Sequence, residues 1–237
     1  MGEKLYVVLP AYNEEENIES VVKSWYAVLE GKDDDSRLVI ADSGSKDKTH
    51  EILDNLKKDY SKLEVLSDTG RYHGEKVIAL YDYAIKNGAS WIFQTDSDGQ
   101  TNPDEFAAFW ENRNEFDGIF GERTVRGDGK QRAFVEKVVC FLLRLYFGVK
   151  IPDANAPFRL MKANVVEKYL PRLDKDYNLP NIMMTTYYSF YGEKLAFKEI
   201  SFKPRQGGVN SINIPKIVKI GWKALGDFRK LKKGMKK

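Results

Sequence analysis

The chain of 237 residues carries one cysteine, Cys140, and two histidines, His50 and His73. A single cysteine excludes an intramolecular disulfide, and so few Cys and His side chains exclude a zinc cage; a metal held here must be held by carboxylates. Long apolar runs are as scarce. The longest, Val138 to Val149, is about a dozen residues and is broken by Arg144, whereas a membrane-spanning helix needs roughly 20. At the N-terminus, Leu5 to Leu9 is too short an apolar core for an export signal. Cytoplasmic placement is the expectation, and with 42% apolar residues the chain can bury a core without staples.

Charge of one sign is missing from the total but not from the parts. Up to Pro215 there are 29 basic and 34 acidic residues; from Lys216 to Lys237 there are nine basic and one acidic, Asp227. The formal net charge of +3 therefore hides an acidic body of −5 and a basic tail of +8.

Short apolar runs alternate with helical periodicity through the first half. Leu5–Leu9, Arg37–Ala41, Leu63–Leu66 and Trp91–Thr95 read as strands. Between them, Ile18, Val21, Val22, Trp25 and Leu29 recur at helical spacing behind Asn13 and Glu16, which have the spacing of a capping box. Asp47 is placed to cap a second helix through Leu56, and Val77–Ile85 reads as a third. This alternation predicts an α/β fold with a largely parallel sheet. Beyond Gln100 the pattern loosens: strands are expected at Gly118–Gly121, Phe158–Met161 and Leu195–Ile200, and a long helix at Arg132–Tyr146. We expect one catalytic domain over residues 1–213, with residues 1–100 holding a donor and the more irregular 101–213 an acceptor, followed by a basic helix over 214–237.

In open α/β sheets ligands sit outside the carboxyl ends of the strands. The segments there are Pro10-Ala11-Tyr12-Asn13-Glu14, Asp42-Ser43-Gly44-Ser45, Ser67-Asp68 and Asp96-Ser97-Asp98-Gly99-Gln100. Asp96 and Asp98, one residue apart after a hydrophobic strand, can offer oxygens to one hard divalent cation, Mg²⁺ or Mn²⁺, that also takes oxygens from a diphosphate. Read without context, the same pair is a polar turn ahead of a helix.

The order and spacing of these motifs supply the context, because together they resemble the family 2 glycosyltransferases of GT-A fold, and within them the dolichyl-phosphate mannosyltransferase-like branch. The resemblance is clear from Leu5 to about Gln100 and looser through Gly121-Glu122-Arg123, Asp153 to Arg159 and Arg205-Gln206-Gly207-Gly208. It implies that Pro10, Tyr12, Glu14 and Asp42 line the donor nucleoside, that Asp96 and Asp98 meet metal and diphosphate, and that Gln100 is a further metal ligand. Asp98 is the residue expected to be indispensable for transfer. The chain departs from the family pattern at Ser43, where a second Asp is usual, and at Lys48, where a Gly is usual. Lys76 lies where the family has a glycine- and lysine-rich segment and is a candidate contact to the donor diphosphate, or else a lysine on an exposed helix start. His73 reads as a loop residue.

Three arginines, Arg123, Arg159 and Arg205, fall in the looser segments and offer planar forks for phosphate oxygens. Together they would make a site for a second anion, as a phosphate-bearing acceptor requires. The resemblance implies direct displacement with inversion. A hydroxyl acceptor would then need a general base, for which Asp153 is the candidate in the second half, or else it is a turn residue; a lipid phosphate, already ionised, needs none. The Glu-Asp base motif and the Gln-x-x-Arg-Trp of processive synthases are absent.

In the tail, Ile214, Ile217, Val218, Leu225 and Phe228 gather on one side of a helical wheel, opposite Lys216, Lys219, Lys223 and Lys230. That is the pattern of an interfacial helix on an anionic membrane, or of a stripe packed on the catalytic domain. The resulting expectation is a metal-dependent transferase, peripheral on the cytoplasmic membrane face, taking a nucleotide-diphosphate sugar to polyprenyl phosphate. The alternatives are a glycan hydroxyl as acceptor and a non-catalytic nucleotide-sugar scaffold. A nucleotidyltransferase is disfavoured because Pro10–Glu15 has no glycine, and nucleic-acid binding because the predicted site edge is not basic.

Overall fold

The computed structural model describes residues 2–127, 129–204 and 226–235. Seven strands, β1 (Leu5–Ala11), β2 (Arg37–Asp42), β3 (Leu63–Leu66), β4 (Trp91–Gln94), β5 (Gly118–Arg126), β6 (Arg159–Lys162) and β7 (Leu195–Phe202), form one sheet in the order β3-β2-β1-β4-β6-β5-β7. Pairing is parallel from β3 to β4 and between β5 and β7, and antiparallel only where β6 meets its neighbours. The flanking helices are α1 (Ile18–Ala27), α2 (Thr49–Leu56), α3 (His73–Lys86), α4 (Phe106–Glu111), α5 (Lys130–Phe147), α6 (Ala163–Tyr169) and α7 (Pro180–Tyr191). The second half supplies to the common sheet the three strands that its sequence predicts.

β1 and β4 are buried at every position because both faces of the sheet are covered. In β1, Leu5, Val7, Leu9 and Ala11 face one cluster with Trp25, Phe93 and Phe158, while Tyr6 and Val8 face the other with Tyr81, Met161 and Tyr188. The first cluster is cross-braced by rings: Trp25 lies 5.2 Å from Phe93, and Phe93 lies 4.7 Å from Phe158. Truncating such a buried ring costs about 3–5 kcal/mol.

Sheet polarity decides which loops can meet. The carboxyl ends of β1, β2, β4, β5 and β7 share one edge, and because β6 is antiparallel its amino end, at Arg159, joins them. The loops after β1, β2 and β4 are therefore neighbours of the segment before β6, which carries Asp153.

Two local expectations change. Asn13 does not cap α1, which starts at Ile18; it adopts a left-handed backbone (φ 54°) and reaches across to the next loop. The tail residues Lys216, Lys219 and Lys223 and the apolar Ile214, Ile217, Val218 and Leu225 lie outside the described residues, as does Arg205. Phe228, in a helical stretch over 226–234, is 1% exposed and packs against Phe147 (5.7 Å) and Tyr146 (6.3 Å), so this part of the stripe is bound to the body. Among the described residues no helix is long and apolar enough to cross a membrane.

Candidate active site

The loops after β1 and β2 are laced together by side chains. The Asn13 amide donates to Ser45 Oγ (3.0 Å) and Asn13 Oδ1 accepts from the Lys46 amide (2.8 Å). The Glu14 amide donates to Thr49 Oγ1 (2.8 Å), the Glu15 amide to Asp47 Oδ2 (3.1 Å), and the Lys48 amide to Glu15 Oε2 (3.0 Å). Short polar residues in both loops make this possible, since each supplies an acceptor to a backbone N–H that the sheet leaves unpaired. Asp47 also accepts from the Thr49 amide at the start of α2, as its position in the sequence predicts.

Within this frame Asp42, at the end of β2, is 2% exposed. Its Oδ1 accepts from Ser45 Oγ, and its Oδ2 faces His50 Nδ1 at 3.2 Å. Glu14 is buried and its Oε2 accepts from Asn17 Nδ2 at 3.0 Å. Pro10 is buried in β1, with its carbonyl accepting from Ser97 Oγ (2.8 Å), while Tyr12 is half-buried beside it. Ser43, standing where the family usually has an acid, accepts from the Thr69 amide (2.8 Å) and donates to the Ser67 carbonyl (2.9 Å), so it ties down the loop after β3.

Lys76 is not an exposed lysine. It lies in α3, 1% exposed, with Nζ donating to the Ala11 carbonyl and 5.2 Å from the centre of the Tyr12 ring. Burial pulls its ammonium down to about 8, against the opposing pull of Asp42 and Glu75. At the start of the same helix Gly74 lets the backbone before α7 approach: a Cβ there would stand 2.1 Å from the Tyr177 carbonyl oxygen. His73 belongs to the first turn of α3 rather than to a loop, and its Nε2 is 3.5 Å from Asp96 Oδ1.

The loop after β4 turns through Gly99, at φ 72°. Asp98 Oδ1 accepts from the Gln100 amide at 3.2 Å. Asp96 Oδ1 is buried without a hydrogen-bond partner among the described residues, and His73 at 3.5 Å is too far to serve as a good one. A buried, unpartnered carboxylate oxygen is costly unless something absent from the polypeptide meets it. The two carboxylates fit a hard divalent cation in donor type, and no group of three or more His, Cys, Asp or Glu side chains with metal-site geometry is found among the described residues. The remaining ligands would have to be substrate oxygens, water or the Gln100 amide. Gln100 is 5% exposed and clamped to the end of β7: its Nε2 donates to the Lys203 carbonyl (2.7 Å), and its own carbonyl accepts from the Lys203 amide (2.8 Å).

The segment expected to meet the acceptor departs furthest from the sequence expectation. Arg159 is 0% exposed and cannot meet a phosphate; its guanidinium donates to the carbonyls of Ala154, Ala156 and Asn181 and to Thr185 Oγ1, with the Phe120 ring 4.6 Å away. Asp153 is 3% exposed, and both its oxygens are taken by Arg123, Oδ2 from Nε at 2.7 Å and Oδ1 from Nη2 at 2.8 Å. A carboxylate held in a two-pronged grip by a guanidinium is poorly placed to remove a proton. Glu136 of α5 completes this group, 3.6 Å from Arg123 and accepting from the Ala154 amide at 2.8 Å. Cys140 donates toward Glu136 (3.5 Å), and burial pushes its thiol up to about 12. Thus Arg123 and Asp153 meet each other and Arg159 props the loop from within, while Arg205 lies outside the described residues.

The motifs assigned no role to Ser45, Thr49, His50 or Glu136. Three of these are polar residues near Asp42 in sequence, a usable signal; Glu136 sits in an apolar helix and gave none beyond being a lone acid there.

Residues 6–170 match the sequence profile of Glycosyl transferase family 2, and the chain belongs to that family. It is similar to the polyprenol monophosphomannose synthase of Mycolicibacterium smegmatis, 26% identical over 220 residues that cover 89% of this chain and 82% of that protein. It is also similar to the undecaprenyl-phosphate 4-deoxy-4-formamido-L-arabinose transferase of Photorhabdus laumondii, 22% identical over 218 residues, covering 92% of this chain but 65% of that longer protein. Among solved structures, glucosyl-3-phosphoglycerate synthase from Mycobacterium tuberculosis, in complex with Mn²⁺, uridine diphosphate and glucosyl-3-phosphoglycerate, matches with a TM-score of 0.68 at 17% identity, covering 100% of this chain and 82% of that one. At that identity the likeness is one of fold, the GT-A arrangement.

Proposed function

We propose that this family 2 glycosyltransferase moves a sugar, with inversion, from a nucleotide-diphosphate sugar of the GDP-mannose or UDP-hexose type to polyprenyl phosphate at the cytoplasmic face of a membrane. The observation that carries the reading is the buried, unpartnered Oδ1 of Asp96 beside Asp98 at the carboxyl edge of the sheet. Both named relatives act on polyprenyl-type lipid phosphates.

Asp96 and Asp98 would hold Mg²⁺ or Mn²⁺, with Gln100 as a further ligand through its amide oxygen. A cation bound there would offset the negative charge that builds on the departing diphosphate. Pro10 and Tyr12 would present the face for the nucleoside, with Glu14 and Asp42 as its acceptors. Because both are held by Asn17, Ser45 and His50, their oxygens are oriented before the donor arrives. Lys76 acts through Tyr12: it anchors the Ala11 carbonyl and underlies the ring, which is positioning rather than contact with the diphosphate.

An acceptor phosphate is already ionised at neutral pH and needs no base, and the engagement of Asp153 by Arg123 supports an acceptor of that kind. With Arg123 engaged by Asp153 and Glu136, Arg205 remains the proposed contact to the acceptor phosphate. The test compares polyprenyl phosphate in detergent with free oligosaccharides, using a panel of labelled donors with Mn²⁺ or EDTA. Transfer to the lipid phosphate that is abolished by EDTA is expected. Transfer only to oligosaccharide would overturn the acceptor, and undiminished activity in EDTA the metal.

A further inference from the structure

Four of the five large apolar side chains that are exposed among the described residues lie on one helix. Phe134 (67% exposed), Val138 (40%), Phe141 (64%) and Leu145 (67%) all belong to α5. At about 100° per residue they fall within an arc of roughly 60°, and they extend about 16 Å along the axis at 1.5 Å per residue. The opposite side of the helix is fully used: Leu143 and Phe147 enter the core, and Glu136 grips the Ala154 amide and Arg123. A soluble surface seldom aligns large apolar groups in this way without a partner.

The charges say which partner. Lys137 and Arg144 are exposed along one edge of the stripe, and Lys150 is exposed just past its end. Glu136 is the one acid of the helix and is buried, turned inward, so the outer face carries positive charge alone. Apolar side chains flanked by cations, on a helix lying flat against a domain, match an anionic bilayer surface, where the rings enter the acyl boundary and the cations meet headgroup phosphates. Basic charge is a poor fit to a second copy of the same face, which would bring like charges together.

We infer that the outer face of α5, rather than the basic tail alone, docks this protein on an anionic membrane. The inference deepens the proposal of a membrane-borne acceptor and depends on it only for purpose, not for geometry. It also gives Glu136 a role: the helix that meets the lipid is fastened through it to the Arg123–Asp153 group at the sheet edge.

The test is co-sedimentation of the full chain with vesicles of mixed phosphatidylglycerol and phosphatidylcholine, and with phosphatidylcholine alone. Binding to the anionic vesicles is expected to fall at least tenfold in Phe134→Ser/Phe141→Ser and to become less salt-sensitive in Lys137→Gln/Arg144→Gln. Lys232→Ser/Lys233→Ser should change it less than either. Retained thermal stabilisation by nucleotide and Mn²⁺ shows that the variants are folded. Unchanged vesicle binding in the phenylalanine variant overturns the inference. So does conversion of a dimer to a monomer, or a large fall in Tm, without loss of vesicle binding, since either assigns the stripe to a protein partner. Transfer to detergent-solubilised polyprenyl phosphate needs no docking, so failure there would refute the acceptor instead.

Discussion

The two sides of the sheet edge handle charge differently. On the donor side, after β1, β2 and β4, carboxylates are oriented by neutral or weakly basic neighbours: Asp42 by Ser45 and His50, Glu14 by Asn17, while Asp96 keeps one buried oxygen unpartnered. On the acceptor side, Asp153 meets Arg123, Glu136 meets Arg123, and Arg159 is surrounded by carbonyls. The first side keeps a buried carboxylate oxygen of Asp96 that no described residue meets. The second already pairs its charges within the fold. Residues of the same types thus do opposite work, and what separates them is whether the fold supplies the counter-charge.

The sharpest test of this contrast is on the donor side. Asp98→Ala should lower transfer by about a thousandfold or more, because charge stabilisation at the leaving group is commonly the largest single contribution, with the fold intact by circular dichroism. Initial rates across a Mn²⁺ series check it, and activity within tenfold of the parent would contradict it.

Arg159→Ala should act through stability. It removes the donor to the Ala156 carbonyl and thins those to Ala154 and Asn181, which keep Thr185 Oγ1. An unmet buried carbonyl costs about 1–3 kcal/mol and the cavity left by a large buried side chain adds to it, so a total of about 3 kcal/mol should be lost in urea unfolding. Arg159→Lys should not restore it, since one ammonium cannot span the carbonyls of Ala154, Ala156 and Asn181. A normal unfolding midpoint together with a raised KM for acceptor would return Arg159 to the binding site.

Asp153→Asn discriminates between structural and catalytic roles. Removing a general base typically costs about a hundredfold or more. We expect less than a tenfold fall in kcat with polyprenyl phosphate, accompanied by reduced stability because Arg123 loses its grip. A pH–rate profile that loses its acidic limb in the variant would show that Asp153 is the base.

The smallest effect concerns Lys76. Its ammonium is destabilised by burial, so the folded protein releases the proton near pH 8 while the unfolded chain keeps it until near 10.5. The stability penalty of the buried charge is therefore present below about pH 8 and is relieved as pH rises toward 10.5. As pH rises through about 8 the Tyr12 ring loses its cation, and donor affinity should fall a few-fold. Lys76→Met should flatten that dependence in titrations of nucleotide binding. An unchanged profile in the variant would show that another group is responsible.

Much of the donor side was legible before any coordinates. Strand positions after which Asp42, Asp96 and Asp98 fall follow from short apolar runs, and strand ends in such sheets face ligand. The lacing of Asn13 to Ser45 and Lys46 was not legible: capping-box spacing at Asn13 and Glu16 is a local signal, and a long-range bond to the next loop displaced it. Arg159 misled for a related reason. An arginine after an apolar residue reads as a surface fork, yet the antiparallel insertion of β6 places it beneath the edge loops.

Periodicity and turn chemistry act over a few residues, so the strands and helices of the first half, a largely parallel sheet and the carboxylate pair were readable from the chain alone, whereas the strand order was not. Only the tertiary structure decided which charges are spent on one another and which apolar face stays exposed. Those outcomes depend on contacts between segments distant in the chain: Arg123 with Asp153, Arg159 with Asn181 and Thr185, and α5 with the core through Leu143 and Phe147 while Phe134 and Phe141 point away. Composition cannot distinguish a buried arginine from an exposed one, because the cost of desolvating the charge is offset only by partners that folding brings to it.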